Sequence, residues 1–127
     1  MRINGQRIDK GININDKEQA FTEQILEGLK DIETRNSNSL RSLIGKRVAL
    51  IRTGCGPAMI VGLADISRVK IYTDENSFRD DEWRHLVEAG SKYDIQPGKV
   101  KYGYFLDNIE SCDPVLVKSK GIVIRNI

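Results

Sequence analysis

Histidine is almost missing from this sequence. Of its 127 residues only His85 is one, and it carries two cysteines, three prolines and 6% aromatic residues. A single imidazole cannot build a histidine-based zinc site, and Cys55 and Cys112 lack the C-x-x-C spacing of a thiolate site or a redox pair. A Cys55–His85 nucleophile pair is the one thiol chemistry left open. The phosphate-loop pattern is absent too, because Gly45-Lys46 and Gly98-Lys99 have neither the upstream glycine nor a following Ser or Thr. Apolar runs extend over only a few residues, so no membrane contact is expected. The start of the chain, MRINGQRIDKG, has no apolar segment of the kind an export signal needs. The expectation is a cytoplasmic protein with free thiols, no metal and no cofactor.

Neither sign of charge dominates. Twenty Lys and Arg stand against eighteen acidic residues, for a net charge of +2 and a pI of about 8.6. That balance is too weak to argue for nucleic acid by itself. The charge is unevenly placed, however. Between Gly28 and Arg52 lie six cations (Lys30, Arg35, Arg41, Lys46, Arg47, Arg52) and two anions (Asp31, Glu33), a net +4 that leaves −2 for the remainder. An anionic partner and a solubilised sheet edge are both compatible with such a bias.

The apolar content, 39%, and a length that suits one domain over residues 1–127 describe an ordinary globular core. GININ alternates Ile12 and Ile14 with asparagines, as a strand does. Asp16 is placed to cap a helix, with Gln19 at the reciprocal position, and Phe21, Ile25 and Leu26 form its apolar face. Gly28 suits the left-handed residue after that helix. RVALIRTG and AMIVGLADI read as two strands joined at GCGP, with RVKIYT as a third. Ser77 is expected to cap a second helix, FRDDEWRHLVEA, on which Trp83, Leu86 and Val87 lie together and Asp81 and His85 make a surface pair. KYGYFLDNIESC and PVLVKSKGIVIRNI complete the chain as strands. Many short strands and two helices predict an α+β fold, a small curled sheet or barrel.

The stretch EGLKDIETR concentrates two cations and two anions just past the first helix. In a strand, Ile32 would point to the core and Asp31, Glu33 and Arg35 to the other face, with Lys30 folded back over Glu33. Two readings are open. One is a solvated salt-bridge cluster. The other is a pocket mouth in which cations hold a phosphate or polarise a carbonyl, and a carboxylate reads an amino-bearing base edge or moves a proton. Tyr102 and Tyr104, on one face of YGYF, can stack on a base or pack in the core. Arg41, in the polar loop SNSLRS, can meet a phosphate.

Gly28, Lys30, Glu33 and Arg35 spell G-x-K-x-x-E-x-R directly after an amphipathic helix. IGKRVALIRTG, the glycine-bearing IVGLADI, the aromatic KYGYFLDNI and DPVLVKSKG follow in order. Over about residues 12–124 this arrangement resembles the ASCH domain (activating signal cointegrator-1 homology) of the PUA-like group. The resemblance implies a small PUA-like β-barrel of about five to six strands flanked by two or more helices. It implies a cleft that binds RNA or a modified nucleoside, lined by Lys30, Glu33 and Arg35. For such a cleft the sequence offers Arg41 and Arg52 as phosphate contacts and Tyr102 or Tyr104 as stacking faces. Some small members are similar to amidohydrolases of N4-acylated cytidine, and others are linked to metal-independent RNA cleavage. In an enzyme of either kind Lys30 and Glu33 would be the catalytic pair. Those amidohydrolases carry a threonine where this chain has Glu33. Thr34, one place along, would face the other way in a strand, which counts against a threonine nucleophile.

Overall fold

The computed structural model describes residues 1–127. A short hairpin of β1 (Arg2–Ile3) and β2 (Gln6–Arg7) precedes β3 (Lys10–Asn15), α1 (Phe21–Leu26) and β4 (Ile32–Arg35). A single 3-10 turn (Arg41–Leu43) leads to β5 (Arg47–Thr53) and β6 (Met59–Tyr72). Then come α2 (Glu75–Asp80), α3 (Glu82–His85), β7 (Lys101–Leu116) and β8 (Ile124–Asn126). Six strands form one sheet in the order β4-β7-β6-β5-β3-β8. Only the β3–β5 pair is parallel. Its crossover contains α1 and β4, as a parallel pair requires a long connection.

The α+β class is borne out, and the sheet is barrel-like although its hydrogen bonding does not close. Register shifts in β6 at Ile60/Gly62, Leu63/Asp65 and Ile66/Arg68 mark bulges. Each bulge adds bend and twist, so the two longest strands curl the sheet. The curl carries β4, an edge strand, back to β3: Arg35 Nη2 donates to the Asn13 carbonyl over 2.6 Å. One guanidinium thus spans the seam that a barrel would close with a ladder.

The main core fills this curl. Ile12 and Ile14 of β3, Phe21 and Ile25 of α1, Val48 and Leu50 of β5, Ala64 and Ile66 of β6 and Tyr104 and Leu106 of β7 pack together with Leu40 and Leu43. Alternation sends Ala49 and Ile51 to the opposite face, where Ile3 and Ile8 of the N-terminal segment cover them. A third cluster, Tyr72, Phe78, Val87 and Ile95, fastens α2 and the segment after α3.

Several sequence expectations change in detail. AMIVGLADI and RVKIYT are one continuous strand, β6, because bulges absorb the polar interruption. KYGYFLDNIESC likewise runs on through Asp113 and Pro114 to Leu116, and only Ile124–Asn126 forms a further strand. Asp16 accepts a backbone N–H, but from Thr22 at 3.1 Å, and α1 begins only at Phe21 without a side-chain cap. Gln19 makes no reciprocal bond; it donates to Gln24 and to the Leu86 carbonyl. Asp74, not Ser77, caps α2, accepting from Ser77 N at 2.7 Å. The long second helix divides at Asp81 and stops at His85, since Leu86 takes a left-handed φ of 57°. Trp83 consequently points outward, 72% exposed, while Val87 is buried. Gly28 and the GCGP glycines, Gly54 and Gly56, do have positive φ.

Gly62 sets how closely α1 approaches the sheet. A Cβ there would lie 2.5 Å from Leu26 Cδ2 and 2.6 Å from the Glu110 carbonyl oxygen. Leucine can swing away, but the backbone of β7 cannot without disturbing the ladder. Gly62→Ala is therefore expected to cost about 1–3 kcal/mol, read as a lower urea midpoint at unchanged slope.

Candidate functional site

A cleft of about 280 Å³ lies at the seam. It is bounded by Asn13, Ile14 and Asn15 of β3, by Glu33, Thr34 and Arg35 of β4, and by Phe21, Asn36, Thr53, Tyr93, Lys101 and Ile122. The opening in the barrel and the charged stretch of the sequence coincide because β4 is the edge that fails to close. A second hollow, about 400 Å³, lies between Thr73–Glu75 and Gly90–Lys99. Its wall holds one apolar residue, Ile95, and two of its three carboxylates are engaged, Asp74 by Ser77 N and Asp94 by Arg79 and Gly90 N. Ligand sites combine apolar walls with a few convergent polar groups, which favours the seam cleft.

Glu33 is 7% exposed. Its Oε2 accepts from Arg35 Nη2 at 2.9 Å, and its Oε1 is 3.7 Å from Lys30 Nζ. Arg35 thus bonds Glu33 and the Asn13 carbonyl at once, and its buried Nε has no partner. Thr34, expected to face away, also borders the cleft, because an edge strand presents its rim as well as one face.

Lys30 is placed differently from the cleft-lining role that the resemblance implies. It is 1% exposed and lies behind Glu33, outside the cleft wall. Its Nζ donates to the Ile32 carbonyl at 2.8 Å and to the His85 carbonyl at 2.5 Å, and sits 4.7 Å from the centre of the Phe21 ring. Together with Glu33 these occupy the ammonium on every side. Burial pushes its pKa down to about 8, against the opposing pull of Glu33.

Asp31 leaves the group altogether. It pairs with Arg84 through two bonds of 3.0 and 2.9 Å on the outside of the fold, which ties the start of β4 to α3. His85 is buried rather than at the surface, and Asp81 pairs with Lys70 and Tyr72 instead. His85 Nε2 lies 2.7 Å from the Phe78 carbonyl, and Nδ1 accepts from Val87 N at 2.9 Å. That arrangement fits the neutral ring with its proton on Nε2. Burial lowers its pKa accordingly. Cys55 is exposed, so no Cys55–His85 pair exists.

Tyr104 has no face open to a base. It is fully buried, and its hydroxyl donates to Asn38 Oδ1 at 2.6 Å and accepts from Leu40 N at 3.2 Å, which pins the SNS loop to the core. Tyr102 is half-buried against the same core and does not border the cleft. Arg41 is exposed on the 3-10 turn. Arg52 is half-buried next to Thr53, with an unpartnered Nε, and acts electrostatically on Asp16. Of the candidate binding and catalytic residues named from the sequence, the cleft wall therefore gathers Glu33 and Arg35.

Two wall residues escaped sequence reasoning. Tyr93 meets Phe21 edge to face, 5.5 Å between centroids, and both rings border the cleft. Lys101, the first residue of β7, is only 4% exposed and makes no hydrogen bond or ion pair. The signal for Lys101 was its place beside YGYF in a strand; for Tyr93, isolated in SKYDIQPG, there was none. No group of three His, Cys, Asp or Glu side chains comes together in a way that could hold a metal ion.

Lys30→Met keeps the bulk and removes three donated hydrogens. Because Glu33 retains Arg35, the expected cost is about 1–3 kcal/mol at neutral pH, that of stranding the two carbonyls. The folded-state pKa lies below the unfolded one, so between about 8 and 10.5 the unfolded chain binds the proton that the folded chain has released. Wild-type stability from this group rises with pH across that window and is lost as pH falls through about 8. The deficit of Lys30→Met should widen from pH 8 to pH 10 in urea titrations.

No protein-family model and no curated protein matches the sequence. Among solved structures, the ASCH protein of Zymomonas mobilis superposes with a TM-score of 0.67 at 17% identity, over 88% of this chain and 76% of that one. A serine-to-alanine mutant of it gives 0.69 at 15% identity, over 87% and 75%. A tyrosine-to-phenylalanine mutant gives 0.69 at 17%, over 87% and 77%. The expected architecture is thus met independently of sequence similarity, and this chain has the fold of the ASCH proteins.

Proposed function

We propose that this ASCH-fold protein binds RNA or a modified nucleoside in the seam cleft, and that it belongs to the ASCH family. The observation that carries the reading is the Glu33–Arg35 pair set into the cleft wall with Lys30 behind it. A nearly buried carboxylate with oriented partners is an acceptor of fixed position, suited to the exocyclic amino group of a base. The Asn13 amide is taken up by Gly121, Ile122 and Arg125, which leaves the Asn15 amide nitrogen and the Thr53 oxygen as polar groups at the rim, and the Tyr93 ring offers a stacking surface. Arg52, next to the wall residue Thr53, and the exposed Arg41 are the phosphate contacts in this reading for a longer strand.

An enzyme in the same cleft is the second reading, either an amidohydrolase of N4-acylated cytidine or a metal-independent ribonuclease. What favours it is the Lys30 ammonium, with its pKa near 8 and 3.7 Å from Glu33, a proton-holding pair close to neutrality. Glu33 would then be the acid/base and Lys30 the charge that sets its behaviour.

One variant separates the two. In a binder, Glu33→Gln keeps the shape and one acceptor oxygen, so affinity for cytidine by calorimetry should fall no more than about tenfold, the loss of one charge-assisted contact. In an acid/base enzyme, turnover of N4-acetylcytidine or of single-stranded RNA without metal should fall by about 100-fold or more. RNA affinity that does not change with salt would count against phosphate contacts by Arg41 and Arg52.

A further inference from the structure

The fold buries two lysines of the cleft region, and it treats them differently. Lys30 has its ammonium committed to Ile32 O, His85 O and Glu33. Lys101 has no such partners. It is 4% exposed, yet no carbonyl, hydroxyl or carboxylate lies within hydrogen-bond distance of its Nζ, and the residue borders the cleft. Glu33 and Asp94 act on it only through space. Asp94 is held by Arg79 and by Gly90 N, and Glu33 by Arg35. Neither carboxylate is free to swing to it.

The side chain is mostly buried, yet its ammonium keeps contact with solvent, since Lys101 Nζ is not among the buried polar atoms that lack a partner. The solvent-filled space that the residue borders is the cleft, and a mostly buried cation without a protein partner favours an anion there. Among the residues of the wall itself, Arg35 and Lys101 stand against the carboxylate of Glu33. Arg35 is bonded to that carboxylate, so Lys101 is the cation of the wall that remains uncommitted. A hollow of about 280 Å³ is near the lower end of small-molecule sites, about 300–1,000 Å³. It suits one nucleotide unit rather than a folded RNA surface.

We propose that Lys101 is the ligand-holding cation of the cleft, and that the ligand class is a nucleotide whose phosphate meets Lys101 Nζ. The nucleotide part of this inference rests on the nucleoside reading above; the anion site at Lys101 does not. The phosphate takes the place of water at an ammonium that has no protein partner, and the charge-assisted contact discriminates a nucleotide from its nucleoside. Sequence-distant Tyr93 and Glu33 then face the base, while β7 supplies the phosphate end.

The test compares cytidine, cytidine 5′-monophosphate and inorganic phosphate on the wild-type chain and on Lys101→Met, by calorimetry at low salt. Wild type should bind the monophosphate about ten- to hundredfold more tightly than cytidine. Lys101→Met should keep its cytidine affinity and lose that preference, and its Tm should equal or exceed that of wild type, since an unpaired buried charge is removed. In the wild-type chain the Lys101 Cε resonance should move on adding the monophosphate and stay still with cytidine, which tests the contact even if the variant folds poorly. Equal, measurable affinity for cytidine and its monophosphate would overturn the role of Lys101 and leave the nucleoside reading standing. Binding of inorganic phosphate alone, dependent on Lys101, would keep the anion site and sink the nucleoside reading. No binding of any of the three probes would overturn both.

Discussion

The buried Lys30 ammonium is the point on which the cleft region depends. From the turn after α1 it joins the first residue of β4 to the carbonyl that closes α3, fifty-five residues away in sequence. Desolvating an ammonium costs several kcal/mol, and only well-placed acceptors recover it. That requirement constrains the backbone around it. Gly28 must turn left-handed to let the chain fold back, and Leu86 takes a left-handed φ directly after the carbonyl that Lys30 holds. With the lysine seated, Glu33 is held from behind and Arg35 is aimed across the seam. The charged motif is therefore a structural clamp first, and its outer half forms the cleft wall.

Curvature supplies the other half of the arrangement. Three bulges in β6 bend the sheet until its edge strand meets β3, yet β4 has only four residues and no ladder forms between them. The gap left there is polar on one rim, with Asn13, Asn15 and Thr53, and aromatic on the other, with Phe21 and Tyr93. The same geometry explains why the cleft is small. The main core presses up to its floor through Ile14 and Phe21, which belong to both.

Much of this was legible in the sequence, for identifiable reasons. Alternation in GININ and RVALIRTG marked β3 and β5, and the glycines of GCGP marked the turn, because period and positive φ are local properties. The extent of β6 and β7 was not local: polar residues that look like breaks are tolerated where bulges bend a strand. His85 read as a surface residue because it lies opposite the apolar stripe of a long helix, and that helix breaks at Asp81. Tyr104 read as a stacking face since alternation fixes which side a residue takes, not what covers that side. Crowded charge drew attention to Lys30, Glu33 and Arg35 and the ASCH-like motif implied a cleft there, but their division into clamp and wall depends on α3, more than fifty residues away. Lys101 needed the three-dimensional fold, because an uncommitted lysine is indistinguishable in sequence from a solvated one.

The seam between β3 and β4 has a thermodynamic consequence of its own. A laddered barrel can widen only by breaking several backbone hydrogen bonds together, whereas this one is fastened by the contact of a single Arg35 nitrogen with a carbonyl. The same guanidinium neighbours the space a ligand would occupy. Occupancy and aperture are therefore linked quantities: whatever draws Arg35 toward the ligand loosens the seam, and whatever tightens the seam withdraws the guanidinium. A molecule in the cleft is measured not against a fixed cavity but against the free energy of a one-bond latch, while the sheet behind it stays rigid.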